Sequence, residues 1–203
     1  MNKKLLIEFI GPPGAGKTYA YKVIKTENHF SIDSNKTTFI KLLEIVKIFF
    51  KYKIFRNIIY FAVLEKKIRQ VLPFIFLFRC LENFDRSNYE RMIQDQGILH
   101  KLINLDNKKL IEQALTFLKS NYTYKVFYFD EKTSILLNRR KIRKRKHDLE
   151  LLEKNNPAKF IDIQRRKYKK FYISKRRQGF IQKKKNLKDI INEINKEYST
   201  EKL

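Results

Sequence analysis

Eight consecutive residues, Gly11-Pro12-Pro13-Gly14-Ala15-Gly16-Lys17-Thr18, restrict what this chain can fold into more than any other feature of it. They match G-x-x-x-x-G-K-[ST], a pattern that binds phosphate when it follows a strand and opens a helix. Glycines without Cβ let successive backbone amides curl around an anion, and the helix that follows turns its positive end to the same place. In this pattern Lys17 reaches the β- and γ-phosphates of a nucleoside triphosphate, and the Thr18 hydroxyl is offered to Mg²⁺. Both flanks agree. Leu5 to Ile10 is a mostly apolar run of the kind buried on both faces of a parallel sheet. From Lys17 to about Glu27, Ala20, Val23 and Ile24 recur at helical spacing. The chain has only five glycines, and three of them fall in this loop. Residues 11–18 therefore read as a binding loop for ATP or a close relative.

Past the loop, strand patterns alternate with helical ones. His29 to Ile32 reads as a short second strand. Residues 36–69 carry apolar residues at helical spacing, giving two helices around Tyr52-Lys53. Met92 to Gln94 is a third strand ending in the turn Asp95-Gln96-Gly97, and Ile98–Leu105 and Lys108–Ser120 are helices. Tyr124 to Phe129 is a β-branched and aromatic strand stopped by Asp130. A basic helical stretch to about Leu152 follows, then a helix from Pro157 to Arg177, a short strand at Phe180-Ile181, and a closing helix from about Asn186 to Tyr198. Such alternation predicts an α/β fold, a doubly wound parallel sheet with helices on both faces. With 203 residues and no Gly/Ser-rich linker, residues 1–203 read as one domain.

A phosphate loop works with a carboxylate near its threonine. Asp95 would stand at the carboxyl end of a neighbouring strand, the edge at which open parallel sheets carry their ligands. It either joins Thr18 around Mg²⁺ or caps the helix that begins at Ile98. Asp33, after the second strand, reads as a substrate-side carboxylate or base, or as a plain loop residue; Asp130 is a rival to Asp95, but its place before the basic segment favours a helix cap. In the run Asn138 to His147, Arg139 and Arg143 lie four apart and share one helical face. Facing the loop, their planar guanidinium groups would neutralise charge on a transferring phosphoryl group. The competing readings are a solvated helix face, a nucleic-acid patch or a membrane-surface patch.

The chain carries 46 Lys and Arg against 21 Asp and Glu, a net charge of +25. That excess suits polyanionic company, although Lys, Asn, Ile, Phe and Tyr are all abundant together, as a compositional bias would produce. Cys80 is the only cysteine, so no internal disulfide forms and a reducing, cytoplasmic setting is expected. Leu5 to Ile10 is too short for a secretory signal, and Val71 to Cys80, broken by Pro73 and Arg79, is too short to span a bilayer. His29, His100 and His147 show no metal-ligand spacing with one another or with Cys80. Residues 165–177 interleave basic and aromatic side chains, as nucleic-acid binders do. A helix whose aromatic residues pack inward reads the same way, with Tyr168, Phe171 and Tyr172 as its core contacts.

In this order (phosphate loop after the first strand, Asp95 after the third, Arg139-x-x-x-Arg143 after the fourth) the chain resembles the P-loop nucleoside and nucleotide kinases, thymidylate kinase in particular. The resemblance implies a five-stranded sheet in the order 2-3-1-4-5, residues 36–81 as a helical acceptor side and 132–152 as a basic lid. It implies transfer of the ATP γ-phosphoryl group to an acceptor hydroxyl or phosphate. Residues 11–18 would hold the triphosphate, Thr18 and Asp95 the Mg²⁺, and Lys17, Asp95, Arg139 and Arg143 would serve catalysis; homodimers also occur in such families. Gln96 stands where thymidylate kinases carry an arginine, and residues 36–81 are unusually apolar, which points away from thymidylate to another small-molecule acceptor such as a nucleoside, a nucleotide or a sugar. Two alternatives stand beside a kinase: a nucleic-acid-dependent NTPase, and a nucleotide-gated module that docks on an anionic membrane through its basic helices.

Overall fold

A computed structural model of the chain describes residues 3–26, 42–143, 156–183 and 187–200. Strand β1 (Leu5–Ile10) leads through the glycine loop into helix α1 (Lys17–Thr26). Helices α2 (Leu42–Lys51), α3 (Lys53–Leu64) and α4 (Leu72–Arg86) follow, with a 3₁₀ turn at Ile68–Gln70. Then come β2 (Arg91–Asp95), α5 (Ile98–Leu105), α6 (Lys108–Asn121), β3 (Thr123–Tyr128), α7 (Thr133–Arg143), α8 (Pro157–Lys175), β4 (Ile181–Lys183) and α9 (Leu187–Thr200).

The strands form one parallel sheet in the order β2-β1-β3-β4. The expected sheet of five strands is four-stranded among the described residues; the remaining strand, at His29 to Ile32, lies outside them, as does Asp33. With that strand set aside, the expected order 2-3-1-4-5 becomes 3-1-4-5, the arrangement observed. Register places Phe9 beside Asp95 and Ile10 beside Tyr128. Three strands thus end together, and the phosphate loop emerges between the ends of β2 and β3.

Strand β1 is buried along its whole length, and alternation divides its side chains between two cores. Leu6 and Ile10 pack with α2 to α6, while Leu5, Ile7 and Phe9 pack with α1, α9, Leu136 of α7 and Ile161 of α8. Glu8 lies on the first of these faces, fully buried. Tyr168 and Phe171 of α8 are buried as expected, and Tyr172 packs against the same core, stacked on Tyr128. The apolar run from Val71 is helix α4, with Pro73 in its first turn, where the missing N–H leaves no helical bond unmade. No helix among the described residues is long and apolar enough to cross a membrane.

Candidate active site

Residues 11–16 turn through three glycines at positive φ, Gly11 at 140°, Gly14 at 91° and Gly16 at 94°. At Gly11 the need for glycine is also steric: a Cβ there would lie 2.2 Å from the carbonyl oxygen of Phe129. That carbonyl cannot move away easily, because the Phe129 amide donates to Ile10 at 2.9 Å and extends the β1–β3 ladder. The amide of Ala15 closes a turn on Pro12 at 3.2 Å, and the Ala20 amide begins the helical ladder on Gly16 at 3.0 Å. Lys17 is buried; its ammonium donates to the carbonyl oxygens of Gly11 at 2.8 Å and Pro12 at 3.0 Å. A cation is thereby held inside the ring of loop amides.

Strand β2 delivers the carboxylate. Thr18 Oγ1 donates to Asp95 Oδ2 at 2.6 Å across 77 residues of sequence. The other oxygen, Oδ1, is buried and has no hydrogen-bond partner. Asp95 does not cap the helix after it: the N-cap of α5 is Gly97, and neither Asp95 oxygen accepts an amide of that helix. A hydroxyl and a carboxylate held together, one acceptor oxygen still bare, form an oxygen donor set of the type Mg²⁺ takes.

The turn between Asp95 and α5 rests on a residue that the sequence reading passed over. Glu8 accepts hydrogen bonds from the amides of His100 at 2.6 Å and Leu99 at 3.3 Å, and from the Tyr124 hydroxyl at 2.8 Å. Its carboxylate therefore stands at the positive end of α5. Burial pushes its pKa up to about 7 even though the His100 amide, the Tyr124 hydroxyl, the Leu99 amide and the charge of Lys101 all favour the ionised form. Lys101, on the same helix, donates to Gln96 at 3.4 Å. Burial lowers its pKa, and the negative charges of Asp95 and Glu8 oppose that shift. His100 is buried as well, with Nε2 3.0 Å from the Tyr168 hydroxyl, which donates its one proton to Asn104 at 2.8 Å. Burial, followed by the charges of Lys17 and Lys101, lowers its pKa and holds the imidazole neutral.

The basic helix reaches the loop from the far side. Arg139 donates to the carbonyl of Gly14 at 3.0 Å and lies 3.4 Å from Glu131. Arg140, which the sequence reading did not single out, is buried and donates to Pro13 at 3.4 Å. It follows the buried Leu136 by four residues and shares that inward face, a spacing that could have exposed it. Arg143 ends the helix; its side chain and residues 144–155 lie outside the described residues. Asp130, expected as a helix cap, is held by Arg165 instead, Oδ1 to Nε at 2.7 Å and Oδ2 to Nη2 at 3.3 Å, with Lys183 at 3.7 Å. Burial would raise its pKa, but the hydrogen bonds and charge of Arg165, with Lys183, outweigh burial and lower it.

No protein-family model and no curated protein matches the sequence. The structure does have counterparts. It matches a deoxyadenosine kinase from M. mycoides with bound dATP at a TM-score of 0.53 and 18% identity, over 94% of this chain and 98% of that one. The same enzyme with bound dCTP matches at 0.50 and 17%, over 94% and 99%. At this identity the likeness shows the fold, and it is the P-loop kinase fold that the resemblance implied.

Proposed function

We propose that this chain is an ATP-dependent kinase that transfers the γ-phosphoryl group to a small-molecule acceptor such as a nucleoside, a nucleotide or a sugar. One observation carries the reading above all. The hydroxyl of Thr18 and the carboxylate of Asp95 are hydrogen-bonded at the mouth of the glycine loop, where the cation accompanying a triphosphate belongs. Loop residues 11–18, through the amides of Gly11 and of residues 14–18, and the Lys17 ammonium hold the β- and γ-phosphates, and Thr18 and Asp95 are the Mg²⁺ ligands. The ion, when bound, neutralises charge on the phosphate oxygens. Arg139, already against the loop at Gly14, turns to the transferring group from α7, and Arg143 follows it by one turn. The chain acts in this reading as one P-loop domain, with residues 36–81 on the acceptor side and 132–152 as lid.

A kinase of the same fold bound to dATP and dCTP supports the nucleotide half of this reading. A nucleic-acid-dependent NTPase draws little support from α8. Arg165, Arg166, Lys167 and Lys175 are engaged by Asp130, Asp162, Asp106 and Glu112, and Tyr168 and Phe171 are buried away from any base. The decisive experiment incubates the purified chain and Mg²⁺ with γ-labelled ATP and a panel of nucleosides, nucleotides and sugars. Label passes to an acceptor only when Mg²⁺ is present, and Lys17→Ala stops it. A folded chain that neither binds Mg·ATP nor labels any acceptor would end the proposal.

A further inference from the structure

Among the described residues, a run of exposed apolar side chains lies at the corner where α3 ends and α4 begins. Tyr60, Val63, Leu64, Ile68 and Leu72, five large apolar side chains within thirteen residues, are each between 54% and 68% exposed. Single exposed leucines need no explanation, but a cluster of this kind marks an interaction surface. The cluster is built rather than frayed. Helix α3 closes with the Lys67 amide bonded to Ala62 at 2.7 Å and the Lys66 amide to Val63 at 3.1 Å. Lys66 takes the left-handed conformation at φ 53° that such an ending normally gives to glycine. The 3₁₀ turn is closed in turn by Gln70 on Lys67 at 2.8 Å and Val71 on Ile68 at 2.9 Å. Val71, Phe74 and Ile75 anchor the corner to the core, so its outward residues are presented on a fixed backbone.

The charges around the corner decide what it fits. Lys66 and Arg69 are exposed beside the apolar group, and Lys67 lies over the Phe61 ring at 5.7 Å while pairing with Glu65 at 3.4 Å. Glu65 is the one acidic residue between Tyr60 and Leu72. A second copy of the chain would bring the same cations, and another net charge of +25, against this patch. Nucleic acid would satisfy the cations but leave five apolar side chains facing a phosphate backbone. A bilayer surface with anionic headgroups satisfies both: acyl chains receive the apolar side chains, and phosphates receive the lysines and the arginine.

We propose that the α3–α4 corner is a docking surface for an anionic lipid bilayer. This goes beyond the kinase reading and stands independently of it. It also differs from the expected membrane contact through the basic helices; in α8, Arg165, Arg166, Lys167 and Lys175 are already paired with carboxylates. The test is co-flotation of the full-length chain with phosphatidylcholine vesicles, with or without about one-third phosphatidylglycerol. The variant Leu64→Ser/Ile68→Ser keeps every charge, so general attraction of a basic protein to an anionic surface remains and only the corner changes. A control, Arg166→Glu/Lys170→Glu, alters α8 instead, and circular dichroism with thermal unfolding confirms that both variants are folded.

Wild type is expected to float with phosphatidylglycerol vesicles, and the corner variant to bind about tenfold or more weakly. The α8 variant should lose less than the corner variant. The proposal is overturned if wild type does not bind anionic vesicles or if the corner variant binds as wild type does. It is equally overturned if light scattering shows a dimer that the corner variant dissolves. Loss of vesicle binding with Mg·ATP binding intact would leave the kinase reading untouched.

Discussion

The carboxylate of Glu8, in the middle of β1, accepts the backbone amide of His100 at 2.6 Å and so ties the central strand to the first turn of α5, 92 residues on. Helix α5 starts immediately after the turn that carries Asp95, so this buried acid supports the candidate metal site from below. A Cβ at Gly97 would meet the Glu8 carboxyl oxygen at 2.8 Å, which measures how closely the turn rests on it.

That arrangement has a pH signature. The Glu8 pKa rises from 4.5 to about 7 on folding, chiefly through burial. Below about pH 4.5 the group is protonated in both states and full stability is present. As pH rises toward 7 the unfolded chain gives up this proton and the folded chain resists, so stability falls by about 3 kcal/mol and then levels off. In Glu8→Gln this decline should vanish. Urea midpoints of wild type and variant between about pH 4 and 8 measure it as a difference, which cancels the other titrating groups. Parallel curves would show that Glu8 is not the group responsible.

The pairing of Thr18 with Asp95 predicts a metal-specific defect. Asp95→Asn keeps the shape and a hydrogen-bond acceptor but removes the charge that Mg²⁺ requires. Affinity for Mg·ATP should fall about tenfold or more, while binding of ATP in the presence of EDTA changes less than about threefold. Calorimetry with and without Mg²⁺ reads both. An equal loss in the two titrations would assign Asp95 to the fold rather than to the ion.

Lys17 and Arg139 both contact carbonyl oxygens of the loop, yet from different depths. Lys17 is enclosed at 4% exposure, whereas Arg139 reaches Gly14 from the surface of α7. Lys17→Ala should therefore abolish both triphosphate binding and transfer. Arg139→Ala should lower turnover about a hundredfold while ATP affinity changes less than about fivefold, the mark of a group that acts mainly in the transition state. Single-turnover rates beside equilibrium binding separate the two effects. Unchanged turnover would remove Arg139 from the site.

What was legible in the sequence was local. The loop, β1 and α1 announce themselves because glycine positions, an apolar run and helical spacing lie within about two dozen residues. Helices α2 and α3 were legible from periodicity, and Asp95 from its place at a strand end. Partners far apart in sequence were not. Glu8 shows no role within the apolar run of β1 because the amides it receives are on α5, and Asp130 reads as a cap because Arg165 lies 35 residues on. Arg140 was hidden for another reason: in a run of basic residues, charge masked a position that faces inward.

The two glycines that crowd the site differ in what they crowd against, and that difference can be measured. At Gly11 an added Cβ would lie 2.2 Å from a backbone oxygen, that of Phe129, and φ stands at 140°. The oxygen belongs to a segment pinned to Ile10 by the ladder, so relief requires strand movement. At Gly97 the nearest atom, also 2.2 Å away, is the side-chain oxygen of Gln94. The amide nitrogen of Gln94 meets only the Met92 sulfur at 3.9 Å, so that side chain can rotate aside. Glu8, held by three hydrogen bonds, cannot move so readily. Gly11→Ala should accordingly cost about 3 kcal/mol or more and abolish nucleotide binding. Gly97→Ala should cost about 1–2 kcal/mol, with binding reduced rather than lost. Denaturant midpoints and Mg·ATP titrations on the two variants test this ordering, and equal costs would refute the distinction between a clash with backbone and a clash with side chain.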